Sequence, residues 1–153
     1  MIDLHVHLAG SLKPATIIEY AKERNVPLPT YNASELESYL EAPDHCADTA
    51  EFYELCDMTD WVLQDRRAIR RAMSEMVKEL DAQGVMYAEI RFSPSECTLG
   101  GLRQGDAVTA ALEGLARGMQ ESRRIRANLV LCIIPKMDEH ESCLLYTSPS
   151  PRD

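Results

Sequence analysis

The sequence predicts an α/β fold built around a parallel sheet, and two observations carry that prediction. Apolar segments of strand length lie near residues 1–9, 85–92 and 128–134, and segments with apolar residues at helical spacing separate them. Repeated strand–helix units favour parallel strands joined by right-handed crossovers. With 153 residues the chain has the length of one ordinary domain.

Composition narrows the class of protein. Apolar residues make up 45% of the chain and charged residues 27%, as in soluble globular proteins. The net charge of −9 argues against nucleic-acid binding, which usually needs a basic surface. The five cysteines form no CxxC pair, there is no signal-peptide pattern, and no apolar run approaches the length of a membrane span. We therefore expect a cytoplasmic protein with reduced thiols, and little missing before the first strand.

The first strand carries the most informative residues. Apolar and polar side chains alternate over residues 1–9, so one face of the strand is aliphatic and the other holds His5 and His7. Two positions along a strand span roughly 6.6 Å. Two imidazoles at that spacing can lean onto one metal ion, each at about 2.0–2.1 Å for zinc. The alternative is a polar strand face that holds two of the four histidines without binding a metal.

Four helical segments are predicted between the first and second strands. The first runs from Pro14 to a stop at Asn25, and the next three form an insertion over residues 34 to about 41, 49–64 and 65 to about 82. Ser34 is the expected cap of the second segment, and Asp65 begins the fourth. Segment 49–64 is apolar nearly all round, so Phe52, Tyr53 and Trp61 are either core residues or line a pocket.

The second strand is predicted over residues 85–92, with Tyr87, Glu89 and Arg91 on one face. An ion pair between Glu89 and Arg91 is favoured over a catalytic role. A helix follows over residues 106–123, with its inward positions at Val108, Ala111, Leu112, Leu115 and Met119. The third strand, 128–134, is a continuous apolar run of the kind that is buried on both faces of a parallel sheet.

Several of these segments resemble the adenosine deaminase family. The run from Leu4 to Pro14, LHVHLAGSLKP, is similar to that family's opening strand and first helix start. The run from Tyr87 to Pro94, YAEIRFSP, is similar to its second strand. Gly101-Leu102, the helix segment 112–115 and the segment 131–133 continue the resemblance in order, so that it covers residues 2 to about 135.

The resemblance implies the first three βα units of a (β/α)8 TIM barrel, with a helical insertion after the first helix. It also implies a zinc-dependent hydrolase of purine metabolism, in which water attacks C6 of adenosine or a related purine nucleoside and ammonia leaves. Zinc suits this chemistry because it lowers the pKa of bound water to about 7. His5 and His7 match the first two metal ligands. His7 also lies against the substrate in the family pattern, and Phe52 matches the apolar lid over the purine.

Two departures from the family pattern qualify this expectation. Ala9 stands where the family commonly has the aspartate that meets the sugar hydroxyl, so a different sugar or base preference is possible. The downstream His-Ala-Gly-Glu motif, the third histidine ligand and the late aspartate ligand do not occur in the chain. A complete barrel takes about 250 residues. We therefore expect an incomplete barrel that holds none of the family's catalytic residues and is inactive by itself.

Two other functions remain open at this point. Asp3-Leu-His-Val-His7 also resembles the opening of polymerase-and-histidinol-phosphatase (PHP)-type phosphoesterases, although His45 is the one further histidine in the next hundred residues. A small non-catalytic βα protein that binds a partner through an open sheet edge is the third possibility. The cytidine-type deaminase scaffold is excluded, because its H-x-E and P-C-x-x-C motifs do not occur.

The end of the chain has a different character. Residues 143–153, CLLYTSPSPRD, show no strand or helix pattern and resemble the in-frame translation of a sequencing-library adapter. The alternative is an ordinary tail rich in proline and serine. We expect a partial deaminase barrel domain over 1–142 and a non-native tail over 143–153, and we assign no role to His140, which lies beside that boundary.

Overall fold

Strands and helices follow one another in the predicted order in the computed structural model, which describes residues 1–41, 59 and 61–133. The strands are β1 (Ile2–His7), β2 (Tyr87–Phe92) and β3 (Arg126–Leu131). The helices are α1 (Pro14–Arg24), α2 (Ala33–Leu40), α3 (Arg66–Ala82) and α4 (Gln104–Glu121). The three strands form one parallel sheet in the order β1-β2-β3. The predicted α/β class, with helices inserted between α1 and β2, is confirmed.

The core lies between one face of the sheet and the helices. In β2, Ala88, Ile90 and Phe92 are buried, whereas the three residues between and before them are half-buried. This is the alternation that the sequence predicts for a strand with one apolar face. In α1, the buried residues Ile17 and Ile18 form the apolar stripe that packs onto this core.

Helices α3 and α4 pack closely because α4 presents glycines to α3. Gly114 and Gly118 are buried one helical turn apart, on the side of α4 that faces α3. The prediction that Leu112 points inward is wrong, since 48% of this residue is exposed. Hydrophobic spacing predicts that a large apolar residue such as Leu112 faces the neighbouring helix. Two helices that pack closely instead need small residues at the contact, and here these are Gly114 and Gly118.

The cap of α2 is Asn32, so the prediction of Ser34 is wrong by two residues. The Asn32 side chain accepts hydrogen bonds from the backbone N–H groups of Ser34 at 3.0 Å and Glu35 at 3.3 Å. Asparagine and serine are equally good helix caps, so residue type alone does not distinguish Asn32 from Ser34. Asp65 does cap α3, where its carboxylate accepts from the N–H of Ala68 at 2.8 Å.

The predicted helix 49–64 does not extend to its predicted end. Residues 61–65 form turns and bends. The guanidinium of Arg24 donates hydrogen bonds to the carbonyls of Trp61 and Val62 and pairs with Asp65, so these carbonyls point toward α1. Residues 42–58 and 60 lie outside the described residues, and with them the predictions for His45, Phe52 and Tyr53.

Strand β3 is less buried than predicted. Leu129, Val130 and Leu131 are only half-buried, and 44% of Ile133 is exposed. The prediction of burial on both faces is therefore wrong for the described ranges, where β3 forms the outer edge of a three-stranded sheet. Residues 134–153 lie outside these ranges, so the predicted domain boundary near 142, the tail and His140 stay predictions.

Two further observations bear on the class of protein. Cys97 is buried, and Cys132 is a half-buried cysteine that forms no disulfide with another described residue. No helix among the described residues is long and apolar enough to cross a membrane.

Candidate metal centre

Strand β1 brings the side chains of His5 and His7 together. Their Nε2 atoms are 3.2 Å apart, and the ring centroids are 5.2 Å apart with the planes tilted by 38°. Two nitrogens that each lie about 2.0–2.1 Å from one zinc ion, at a tetrahedral angle, are separated by about 3.3 Å. Both side chains are exposed, so an ion can reach them. The pair therefore fits two coordination positions of a single zinc-sized ion.

The surroundings of His7 favour its neutral imidazole. Partial burial lowers the pKa of His7, and the positive charges of His5 and Arg91 lower it further. Arg91 lies directly across from His7 in the β1–β2 register, and its carbonyl accepts a hydrogen bond from the N–H of Leu8 at 3.0 Å. A neutral imidazole has a free lone pair, so the strand environment favours the form of His7 that binds metal.

Strand β1 has a bulge beside the histidines. Asp3 pairs with Ala88 and Val6 pairs with Ile90, so three steps along β1 match two steps along β2. The backbone N–H of His5 donates a hydrogen bond to Oδ1 of Asp3 at 3.0 Å. Alternating hydrophobicity did not predict this irregularity. The sequence signal was an aspartate two residues before the bonded N–H group, as in an Asx turn.

The predicted ion pair between Glu89 and Arg91 is not formed. Oε1 of Glu89 accepts a hydrogen bond from the Tyr87 hydroxyl at 3.4 Å, and that hydroxyl accepts one from Nδ2 of Asn128 at 2.9 Å. Nε of Arg91 is buried without a hydrogen-bond partner. Glu89 thus bonds to Tyr87, its neighbour on the same strand face, and not to Arg91.

Ala9 lies immediately beyond the histidines, where the chain leaves β1. It opens a single 3₁₀ turn, Ala9–Ser11, which is closed by a hydrogen bond of 3.1 Å from the N–H of Ser11 to the carbonyl of Leu8. Pro14 then begins α1. The turn thus places a methyl group, and no carboxylate, at the exit of the strand that carries His5 and His7.

The site is incomplete within the part of the chain that the structure describes. No group of three or more His, Cys, Asp or Glu side chains there is arranged to hold one metal ion. Phe52, which was predicted to contact the substrate, lies outside that part. A groove of about 300 Å³ does occur, but it is lined by residues of α3 and α4 such as Arg70 and Lys78 and does not include the histidines.

Comparison with known proteins identifies what this partial site resembles. The family model described as adenosine deaminase matches residues 1–147. An adenosine deaminase from Haemophilus ducreyi is 40% identical over 144 residues, which cover 94% of this chain and 42% of that protein. The chain thus spans about two fifths of the length of this relative.

Solved structures show the fold. The chain aligns with an adenine deaminase from Arthrobacter aurescens at a TM-score of 0.78 and 23% identity, covering 95% of this chain and 43% of the other. It aligns with an amidohydrolase from Burkholderia ambifaria with bound zinc at a TM-score of 0.78 and 20% identity, covering 94% and 38%. The predicted partial barrel is therefore confirmed. The histidine strand, the order of elements and the match over residues 1–147 agree, and the chain belongs to the adenosine deaminase family.

Proposed function

We propose that the chain is the N-terminal part of a zinc-dependent hydrolase that deaminates adenosine or a related purine nucleoside. The observation that carries the proposal is the convergence of His5 and His7, whose Nε2 atoms are 3.2 Å apart in a chain of this family. Water would attack C6 of the purine and ammonia would leave. The bound zinc of the Burkholderia ambifaria amidohydrolase supports the choice of metal.

The residues of this chain have distinct roles in the proposal. Zinc, when bound, supplies Lewis acidity and lowers the pKa of a water molecule to about 7. His5 and His7 would hold it through Nε2, and the lowered pKa of His7 favours the neutral form that binds a metal. His7 would also lie against the purine, and Phe52 would cover its apolar face. The cytoplasmic location stays a prediction from composition.

The 153-residue chain should be inactive by itself. Catalytic zinc sites use three protein ligands and keep one position for water or substrate. The described residues supply a pair of histidines and no group of three ligands. The remaining ligands and the general acid–base group would come from residues that correspond to the rest of the longer relatives.

The decisive experiment uses the complete gene product. Purified protein is assayed for ammonia release from adenosine, with and without a zinc chelator, and His5→Asn is compared with His45→Asn as a matched control. We expect chelation or His5→Asn to lower kcat/KM by at least about a hundredfold, and His45→Asn to leave it near wild type. Turnover of phosphoesters but not of adenosine would refute the proposal and favour the PHP-type alternative.

The assay of the 153-residue chain tests the second half of the proposal. We expect no ammonia release above the buffer rate. Release that depends on His5 would contradict the claim that this chain lacks essential residues.

Ala9 makes substrate preference a separate question. Because a methyl group replaces the family's sugar-contacting carboxylate at the exit of β1, we expect the complete protein to discriminate weakly between adenosine and its base, adenine. Ala9→Asp should raise the ratio of kcat/KM for adenosine over adenine, and Ala9→Ser serves as a small polar control. If Ala9→Asp left this ratio unchanged, residue 9 would not contribute to recognition of the sugar.

A further inference from the structure

Asp3 is linked to the proposed metal site through the backbone of His5. In the β1–β2 register one residue of β1 is unmatched between Asp3 and Val6. At that point the N–H of His5 turns to Oδ1 of Asp3 at 3.0 Å. We propose that Asp3 is a positioning residue, and that its bond to the His5 backbone sets the convergence of His5 and His7. This inference rests on the proposed metal site.

The geometry explains why such a bond matters. In a regular strand, residues i and i+2 are roughly 6.6 Å apart, and their side chains stand side by side. Here the centroids of His5 and His7 are 5.2 Å apart and their Nε2 atoms 3.2 Å apart, so the two rings lean toward each other. A bulge bends and twists its strand locally and re-aims the side chains beside it. The two Nε2 atoms also lie within hydrogen-bond distance of each other. In this proposal the bulge sets the side-chain directions that make this approach possible.

Asp3 closes the bulge in a specific way. An extra residue in a strand leaves a backbone N–H group out of the ladder, and such a group needs an acceptor. Oδ1 of Asp3 provides one two residues back, at a reach that suits Asp and Asn. Without it, water would satisfy the N–H, and the backbone at Leu4 and His5 could adopt several conformations. The two nitrogens would then be less often at the separation that one ion requires.

Direct coordination by Asp3 is not what the structure shows. No third carboxylate, thiol or imidazole joins His5 and His7 in a cluster suited to one ion within residues 1–41, 59 and 61–133. The Asp3 carboxylate instead acts on the backbone, through a hydrogen bond that lies at the exposed surface of β1. Asparagine keeps the same acceptor oxygen without the charge, so it separates the hydrogen bond from electrostatic attraction to the metal.

The test measures zinc affinity rather than turnover. The full 153-residue chain is titrated with Zn²⁺ in competition with a chromophoric chelator, as wild type and as Asp3→Asn, Asp3→Ala and the double variant His5→Asn/His7→Asn. Binding that persists in the double variant is assigned to thiols and subtracted. We expect Asp3→Ala to weaken histidine-dependent binding by about tenfold, and Asp3→Asn to stay within about twofold of wild type.

Amide hydrogen exchange gives a second measurement on the same variants. The His5 amide should exchange faster in Asp3→Ala than in wild type and stay protected in Asp3→Asn, while the exchange of α4 stays the same in all three. If Asp3→Ala instead destabilised the whole fold, amide exchange would be faster throughout the chain.

The zinc titration separates the role of Asp3 from the existence of a metal site at His5 and His7. Wild-type affinity in Asp3→Ala, together with lost binding in the double variant, would overturn the role of Asp3 and leave the metal site intact. Equal weakening in Asp3→Asn and Asp3→Ala would also overturn it, because charge and not the hydrogen bond would be responsible. Wild-type affinity in the double variant would overturn the metal site itself, and the role of Asp3 with it.

Discussion

Replacing Gly114 with alanine tests the close contact between α3 and α4. A Cβ atom at this position would lie 2.4 Å from the carbonyl oxygen of Arg70 and 2.9 Å from the Cβ atom of Met73. Favourable separations between non-bonded carbon atoms are about 3.5–4.0 Å, so the helices must move apart by roughly 1 Å. Both contacted atoms belong to or adjoin the backbone, and no side-chain rotation relieves the clash.

The expected magnitude follows from two opposing terms. Overpacking a core typically costs about 1–3 kcal/mol. Exchanging glycine for alanine inside a helix returns about 0.5–1 kcal/mol, because alanine loses less conformational entropy. The net loss in the free energy of unfolding for Gly114→Ala is therefore about 1–2 kcal/mol. For a chain of this length, that corresponds to a Tm lower by roughly 3–6 °C.

Gly105 provides the matched control in the same helix. A Cβ atom there would meet no atom within 4 Å, so Gly105→Ala carries the propensity gain without the clash. Thermal unfolding followed by circular dichroism should give Gly105→Ala a Tm at or slightly above wild type and Gly114→Ala a Tm below it. If Gly114→Ala were as stable as Gly105→Ala, the helices would separate without cost and the packing argument would fail.

Three further changes test other contacts. Asn32→Ala removes the cap of α2 and should destabilise that helix by about 1 kcal/mol, seen as faster amide exchange over residues 33–40 with α4 unchanged. Arg24→Lys should lower the urea-derived stability by about 1–3 kcal/mol, because one ammonium group cannot replace a guanidinium that serves two carbonyls and Asp65 at once; an unchanged midpoint would contradict this. Backbone N–H groups of the segment before β3, first that of Arg123, lower the pKa of Asp81 below its ordinary 3.8. The Asp81 carboxylate thus stabilises the fold above that value, and the contribution is lost as pH falls through the lower folded pKa. Asp81→Asn should show a shallower acid loss of stability than wild type, and parallel curves would refute the assignment.

The sequence predicted those features that depend on local pattern. The start of α1 at Pro14, the beginning of α3 near Asp65 and the two faces of β2 follow from residue chemistry and periodicity, and the structure has all three. The placement of His5 and His7 on one face follows in the same way, because residues two apart on a strand share a face, whereas the 3.2 Å separation of their Nε2 atoms does not.

Features that depend on tertiary contact could not be predicted. Leu112 lies at an inward position by hydrophobicity, yet the approach of α3 selects the glycine side of α4. The helix expected over 49–64 does not reach its predicted end, and Arg24, which lies 37 and 38 residues earlier in the sequence, donates hydrogen bonds to the carbonyls of residues 61 and 62. In each case, a distant partner overrides a local preference.

The aliphatic face of β1 is another case in which the local sequence pattern does not determine which residues are buried. Alternation places Ile2, Leu4, Val6 and Leu8 on one face, which a period of two normally assigns to a core. Leu8 is buried, but 62% of Ile2 and 55% of Leu4 are exposed, and β1 is an edge strand of the described sheet. An edge strand with exposed apolar residues can pair with another chain and aggregate, so proteins usually cover such strands. Among the described residues, Ile2 and Leu4 therefore have no packing partner that buries them, although their spacing is that of a core face, and no third metal-ligating side chain there joins His5 and His7.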